Sequence, residues 1–199
     1  MKKLICLMLS LCFILTLTAC GNKDKKNDNA LDLEYYAKLG QIPEADYTLG
    51  TDVQKVTDEL KALRDKADAE HQDDPNHNHG HDEEEFYFEI VEGQNNVLLD
   101  NGNICYYYNK ANKDKGISYI VSYDSAYGFE LGTVILEVKE ALAGYELIEE
   151  PLTEENAFFA SYAFDGTVLK AELESATVIF VFQENELFAT AIYNENWIS

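Results

Sequence analysis

The stretch Leu49-Gly50-Thr51-Asp52-Val53-Gln54-Lys55-Val56 decides the fold, because part of it recurs further along the chain. The second stretch, Leu131-Gly132-Thr133-Val134-Ile135-Leu136-Glu137-Val138, begins 82 residues later (131 minus 49), and Leu60 and Leu142 continue the match at the same offset. In both copies the apolar residues recur at helical intervals, which predicts a helix that packs one face on a sheet. We therefore expect one structural unit to occur twice.

The threonine of each copy is placed to begin the helix. Thr51 and Thr133 are expected to cap the two helices, and Thr51 with Gln54 has the spacing of a capping box. We expect the first helix to extend to about Glu70 and the second to stop at Gly144.

Four short β-rich segments follow each predicted helix. They are residues 86–91, 97–99, 104–108 and 117–123 in the first copy, and 158–164, 167–169, 177–182 and 187–193 in the second. Asn101-Gly102 and Asp165-Gly166 predict hairpin turns, because these residue types tolerate positive φ. The sequence predicts an α+β fold of two tandem repeats, residues 45–125 and 126–199, each a helix followed by a four-stranded antiparallel sheet.

This order of elements over roughly residues 45 to 195, with its Leu-Gly-Thr helix entry, resembles the tandem-repeat fold of the β-lactamase inhibitor protein family. Each repeat is also similar to the short α/β module of small outer-membrane assembly lipoproteins. The resemblance implies a protein-binding scaffold in the cell envelope whose sheet supplies a concave contact surface. It does not imply inhibition of a β-lactamase, and no inhibitory residue is carried across.

The N-terminus has the pattern of a lipoprotein leader. Lys2 and Lys3 precede an uncharged apolar stretch that is too short to span a bilayer. Leu17-Thr18-Ala19-Cys20 resembles a lipobox, which implies a cleaved signal peptide over residues 1–19 and a lipid on Cys20. A flexible tether is expected over residues 20–44, with the protein on the extracytoplasmic face of the cell membrane. The alternative is an ordinary secretory signal with a chance cysteine.

Charge and cysteine content narrow the function classes. The chain has a net charge of -22, which becomes -24 when the leader removes two lysines, so binding to nucleic acid or anionic lipid is disfavoured. Cys6 and Cys12 belong to the leader and Cys20 to the lipid, which leaves Cys105 with no partner for a disulfide. We interpret Cys105 as a strand residue, and the alternative is a reactive thiol.

All four histidines of the chain, His71, His77, His79 and His81, lie in one acidic segment over residues 71–85. From the leucine of the helix motif to the first predicted strand there are 37 residues in the first copy (86 minus 49) and 27 in the second (158 minus 131), so the segment is interpreted as a loop insertion. Alternating imidazoles beside carboxylates predict a labile zinc, nickel or copper site. The alternative is a solvated acidic loop.

No sequence motif for catalysis is present in the mature chain, and we expect that it is not an enzyme. The tyrosines at positions 106, 107, 108, 119 and 123 predict either an aromatic contact patch or the packing of a sheet. The leading hypothesis is a lipid-anchored module that binds a protein partner in the envelope. The alternative is a metal-handling lipoprotein that uses the histidine loop.

Overall fold

A computed structural model of the protein describes residues 31–72, 86–160 and 165–195. These residues belong to one compact unit that begins at Leu31. The helices are α1 (Leu33–Leu39), α2 (Val53–Gln72) and α3 (Ile135–Ala141), with short 3-10 helices at Lys110–Lys115 and Phe158–Ala160. The strands are β1 (Glu89–Glu92), β2 (Asn96–Asp100), β3 (Ile104–Asn109), β4 (Tyr119–Ser122), β5 (Ile148–Pro151), β6 (Thr167–Glu172), β7 (Thr177–Gln183) and β8 (Glu186–Tyr193).

All eight strands form one antiparallel sheet in the order β1-β2-β3-β4-β8-β7-β6-β5. The α+β class is therefore confirmed. The four strands of each half are joined into one sheet where β4 pairs with β8, with Val121 opposite Ala191. This pairing places the last strand of the chain in the middle of the sheet.

The predicted threonine caps are wrong in both helices. In α2 the Asp52 carboxylate accepts the Lys55 amide at 2.8 Å, so the cap lies one residue later than expected. The Thr51 hydroxyl instead accepts the amide of Thr48 at 3.2 Å. At the start of α3 the capping residue is Val134, which makes no side-chain cap bond. Each threonine is used inside the turn before its helix, which leaves its hydroxyl out of reach of the first helical amides.

The predicted strand over residues 158–164 is also wrong in its described part. Residues 158–160 form a 3-10 helix, and residues 161–164 lie outside the described residues. The strand that pairs with β6 is β5, which comes earlier in the chain. The apolar run at 157–160 satisfies its burial by packing on the sheet face, so it does not need to join the edge of the sheet.

The described part of the expected tether, residues 31–44, is folded, so the prediction of a flexible tether is wrong there, and residues 20–30 lie outside the described residues. Helix α1 starts where the Asp32 carboxylate accepts the amide of Tyr35 at 3.0 Å, and it ends at Gly40, whose φ of +62° favours glycine. Leu33 and Ile42 are fully buried in the core. The described chain is thus tied down from Leu31 onward, because the Tyr145 hydroxyl accepts the Leu33 amide at 2.8 Å.

The sheet buries an apolar cluster on each face. On one face the three helices pack against the strands, and Val56, Leu60, Val138 and Leu142 point into this core. The opposite face carries a second cluster around Val121, Ile179 and Ala191. A search of the described residues finds no helix with the length and apolar character needed to cross a membrane.

Candidate functional site

The sheet face opposite the helices carries a group of aromatic side chains, which we call the aromatic surface. Its members project from β3, β4, β8 and the neighbouring loops, and they pack on the second apolar cluster. They are Tyr107, Tyr119, Tyr123, Phe158, Phe159, Phe188 and Tyr193. This surface is the candidate functional site.

Strand alternation explains how the tyrosines of the sequence reach this surface. Tyr107 lies on the aromatic surface, whereas Tyr106 and Tyr108, its neighbours in β3, pack on the helix side. Tyr106 is fully buried, and its hydroxyl accepts the amide of Asp46 at 3.2 Å. The tyrosine run is therefore divided between the helix side of the sheet and the aromatic surface, which confirms that these residues pack on a sheet. The aromatic contact patch stays a prediction.

The segment between β5 and β6 crosses the aromatic surface. We call residues 152–160 the strap. A reciprocal turn begins it, in which the Thr153 amide donates to the Asn156 side chain at 2.8 Å and the Asn156 amide donates to the Thr153 hydroxyl at 3.3 Å. The Tyr123 hydroxyl holds its end by donating to the Phe159 carbonyl at 3.0 Å. The strap therefore covers part of the sheet face that the resemblance predicts to be open.

Two adjacent phenylalanines of the strap differ in their exposure. Phe159 is buried, whereas Phe158 leaves 37% of its surface exposed. The ring of Phe158 makes edge contacts with Tyr107 and Tyr119, with centroid distances of 5.2 and 5.3 Å. This geometry holds the Phe158 ring in place at the surface.

An open cleft of about 400 Å³ lies beside Phe158. Its lining is mainly apolar where it meets the sheet and polar at the β1–β2 turn. The lining residues are Val91, Gly93, Gln94, Asn95, Asn96, Leu98, Tyr107 and Phe158. The cleft thus connects the aromatic surface to the edge strand β1.

The electrostatic environment of the surface is neutral at its centre and acidic at its rim. Burial raises the pKa of Tyr119 well above its usual value, and burial likewise raises the pKa of Tyr193. Both phenols are therefore neutral at physiological pH. At the rim, Glu89 of β1 lies on the aromatic face and accepts the Tyr87 hydroxyl at 2.5 Å. Glu92 of the same strand lies on the helix side, where it forms an exposed ion pair with Lys110 at 3.2 Å.

Cys105 lies in β3, as predicted, and its side chain is buried on the aromatic face of the sheet. Burial raises the pKa of the Cys105 thiol, and the charge of Asp100, whose carboxylate lies 3.5 Å from the sulfur, raises it further. The thiol is therefore protonated at physiological pH, which makes it a poor nucleophile.

The predicted lipid and metal residues fall almost entirely outside the described part of the chain. Cys20, His77, His79 and His81 are not among the described residues, whereas His71 lies in the last turn of α2. Within residues 31–72, 86–160 and 165–195, no group of three or more histidine, cysteine, aspartate or glutamate residues is arranged to hold a metal ion.

Comparison of the chain with protein-family models, with curated proteins and with solved structures finds no match. The resemblance to the β-lactamase inhibitor protein family therefore remains a prediction.

The tyrosines singled out in the sequence do not include six other contributors to the candidate site, namely Phe158, Phe159, Phe188, Tyr193, Val91 and Leu98. Phe158 was assigned to a strand, and the two aliphatic residues were assigned only to predicted strands. One signal was available, because the two aliphatic residues precede and follow the turn segment Gly93-Gln94-Asn95-Asn96. A short hairpin with that turn brings Val91 and Leu98 opposite each other, as the pairing of β1 with β2 does.

Proposed function

We propose that this protein is a lipid-anchored, extracytoplasmic module that binds a protein partner through its aromatic surface. The observation that carries the proposal is Phe158, which is held against Tyr107 and Tyr119 yet stays 37% exposed beside an open cleft. Rigid, partly exposed aromatic side chains are typical anchors of protein interfaces, because a partner removes a large apolar area from water when it covers them. That the chain is not an enzyme stays a prediction of this proposal.

The proposal includes a duplicated unit of one helix and four strands. In its support, each Leu-Gly-Thr entry makes the same reciprocal bonds with one residue, which lies just before β4 in the first copy and in β8 in the second. The glycine amide donates to the carbonyl of that residue, whose own amide donates back to the threonine carbonyl. The bonds are Gly50 to Ile117 (2.8 Å), Ile117 to Thr51 (2.9 Å), Gly132 to Leu187 (2.9 Å) and Leu187 to Thr133 (2.8 Å). Both glycines have positive φ, +79° and +83°. Glycine tolerates this conformation best.

The order of the strands also supports a duplication. Read from either edge of the sheet, the strands follow their order in the chain, β1 to β4 from one side and β5 to β8 from the other. Val53, Val56 and Leu60 of α2 correspond to Ile135, Val138 and Leu142, and all six side chains are buried in one cluster. A local twofold relation centred on the Val121–Ala191 pair accounts for both observations.

Site-specific photo-crosslinking tests the binding proposal. A photoreactive residue is placed at position 158 in the cell envelope, and a matched one at Leu136, an exposed apolar residue of α3 on the helix side. We expect a discrete crosslinked protein from position 158 and none of that size from position 136. Identical products from both positions, or no product from position 158, would contradict a partner on the aromatic surface.

Metal handling is a second candidate function, and the geometry of α2 favours it. The last core residue of this helix is Leu60, yet the helix continues to Gln72, twelve residues further (72 minus 60). At a rise of about 1.5 Å per residue, this extension is about 18 Å long. The histidine-rich segment of the sequence therefore begins at the end of α2 that is remote from the core residues of this helix, since His71 lies in its last turn.

A calorimetric titration of the purified protein with zinc tests this second function. We expect zinc to bind at neutral pH and to be released toward pH 5, because imidazoles lose their metal-binding lone pair when they are protonated. The matched control replaces His71, His77, His79 and His81 with alanine. Equal heats for the two proteins would remove the metal hypothesis and leave the binding proposal intact.

A further inference from the structure

Strand β1 is an edge of the sheet whose backbone faces solvent. Among the described residues it pairs with β2 and with no other strand, and all four of its residues are exposed. The opposite edge strand, β5, ends in Pro151, which has no amide to donate, and Glu149 of this strand is held in an ion pair with Lys139. Of the two edge strands, β1 is therefore the one in which no proline interrupts the outward-facing backbone amides and carbonyls.

The hairpin register identifies the backbone groups that β1 offers. The Gly93 amide donates to the Asn96 carbonyl at 2.9 Å next to the turn, and antiparallel pairs alternate between bonded and non-bonded positions. In the register of β1 and β2, Val91 is then a bonded position, whereas Ile90 and Glu92 direct their amides and carbonyls outward. A strand added at this edge would bond to Ile90 and Glu92.

A row of side chains on the aromatic face leads from the centre of the sheet to this edge. Following the strand registers, Tyr193 lies opposite Tyr119, Tyr119 opposite Tyr107, Tyr107 opposite Leu98, and Leu98 opposite Val91. The row ends at Val91, which is 43% exposed. Cross-strand neighbours stabilise one another when both are apolar or aromatic, so an added strand is favoured if it places an apolar side chain beside Val91.

The charges of the edge define the rest of the ligand. Glu89 and Glu92 flank the apolar pair Ile90-Val91 in β1, and the whole chain has a net charge of -22. This charge disfavours a second copy of the same acidic strand as the occupant. Lysine or arginine side chains opposite the two glutamates are favoured.

We propose that β1 recruits an extended segment of its protein partner as an additional antiparallel strand, with an apolar side chain beside Val91 and basic side chains facing Glu89 and Glu92. This inference rests on the proposed protein-binding function and defines its mode. Main-chain bonds to Ile90 and Glu92 supply affinity, and the cleft beside Phe158 selects the apolar side chain.

The test uses the synthetic peptide acetyl-Thr-Lys-Phe-Val-Lys-Thr-amide and the full chain, followed by nuclear magnetic resonance. In the proposed antiparallel register, phenylalanine faces Val91 and the two lysines face Glu92 and Glu89. We expect saturable shifts of the Ile90 and Glu92 amides and at least a tenfold slowing of their hydrogen exchange when the peptide is bound. No change at either amide with millimolar peptide would overturn the proposal.

Matched peptides separate strand addition from nonspecific attraction without altering the protein. N-methylation of the first lysine and the valine removes the two amides that face β1, and we expect at least a tenfold loss of affinity. N-methylation of the phenylalanine and the second lysine alters the outer edge and is expected to change affinity less than threefold. Equal losses of affinity in the two N-methylated peptides would overturn the proposal. The proposal would also be overturned if a peptide with glutamates in place of the lysines bound as tightly as the original peptide.

A protein variant tests strand addition at β1 separately from the proposed protein-binding function. Ile90→Pro removes an outward amide while keeping the bonds to β2, and Glu149→Pro on the other edge is the matched control. We expect Ile90→Pro to abolish peptide binding and the control to retain it. Persistent peptide binding in Ile90→Pro, with crosslinking from position 158 intact, would overturn strand addition and leave the binding function standing.

Discussion

The rings of Tyr119 and Tyr193 lie parallel across the central strand pair, with centroids 4.8 Å apart and 4° between their planes. The two residues are direct partners in the register of β4 and β8, where the two halves of the sheet meet. Phe159 of the strap contacts Tyr119 at 5.6 Å, so the strap also packs on this pair. The stacked pair thus lies where the two halves of the sheet meet, and the strap packs on it there.

Replacement of Tyr119 with alanine is expected to destabilise the protein strongly. The side chain is buried in the second apolar cluster, and its loss leaves a cavity under the strap. Truncation of a buried aromatic side chain costs about 3–5 kcal/mol. The free energy of unfolding in urea measures this cost, and Tyr35→Ala, which removes a tyrosine that is 56% exposed, is the control, with an expected loss of about 0.5 kcal/mol. Equal losses would show that the stacked pair is not a major source of stability.

Thr190 and Ser122 lie opposite each other in β8 and β4, and their hydroxyls differ. Within the described part of the chain, the buried Thr190 hydroxyl has no hydrogen-bond partner, whereas the Ser122 hydroxyl accepts the Asp124 amide at 3.2 Å. An unsatisfied buried polar group is costly, so Thr190→Val is expected to stabilise the protein by about 1 kcal/mol. Ser122→Ala is expected to destabilise it by about 1 kcal/mol. Chemical denaturation measures both, and a loss of stability in Thr190→Val would contradict the prediction.

Gly116 lies shortly before β4, where the backbone of the first Leu-Gly-Thr entry approaches it closely, and this position requires glycine. A Cβ atom at this position would lie 2.5 Å from the Thr51 carbonyl oxygen, and the φ of +83° disfavours other residues. We expect Gly116→Ala to cost about 3 kcal/mol or more, since steric overlap adds to backbone strain. At Gly102, with φ of +92° and open space, Gly102→Ala is expected to cost about 1 kcal/mol. Thermal denaturation compares the two variants, and equal melting temperatures would exclude the close approach.

Stability is expected to fall at alkaline pH. Burial and then a hydrogen bond with Glu59 raise the pKa of Tyr47 from 10.0 to about 12, and burial raises the pKa values of Tyr119 and Tyr127. Because the folded state favours the neutral phenol, this contribution is fully present below pH 10, the unfolded pKa, and is lost as the pH rises toward 12. The urea midpoint should therefore stay level up to pH 9 and fall above pH 10. If the phenolate absorbance of the folded protein reaches its full value at a pH where the urea midpoint has not yet fallen, the predicted link between tyrosine ionisation and loss of stability is wrong.

The sequence was most informative where local pattern determines structure. The alternation around Tyr119 predicts β4, and the helical spacing of Val53, Val56 and Leu60 predicts the buried face of α2. The hairpin turn predicted at Asn101-Gly102 is equally local, and it joins β2 to β3 with a φ of +92° at Gly102. Asp165 also has positive φ, but the predicted hairpin there is wrong, because β6 pairs with β5, which ends at Pro151. These features depend on residues that are neighbours in the chain.

The features that sequence did not predict depend on distant partners. Residues 148–151 pair with β6, whereas the run at 157–160 places Phe159 against Tyr119 and Tyr123, which are distant in the chain. Helix α1 has seven residues, too few to be stable alone, and it forms because Leu33 is buried against distant parts of the chain. The pairing of β4 with β8 follows from no local signal.

The central position of β8 has a consequence for how the protein matures. Residues 186–193 come after the other seven described strands in the chain, yet they pair on one side with β4 and on the other with β7. A nascent chain that still lacks them exposes the β4 edge and its apolar faces to other chains. Completion of the fold therefore requires residues 186–193, and a chain that stops before residue 186 would be an aggregation-prone fragment instead of a shorter working protein.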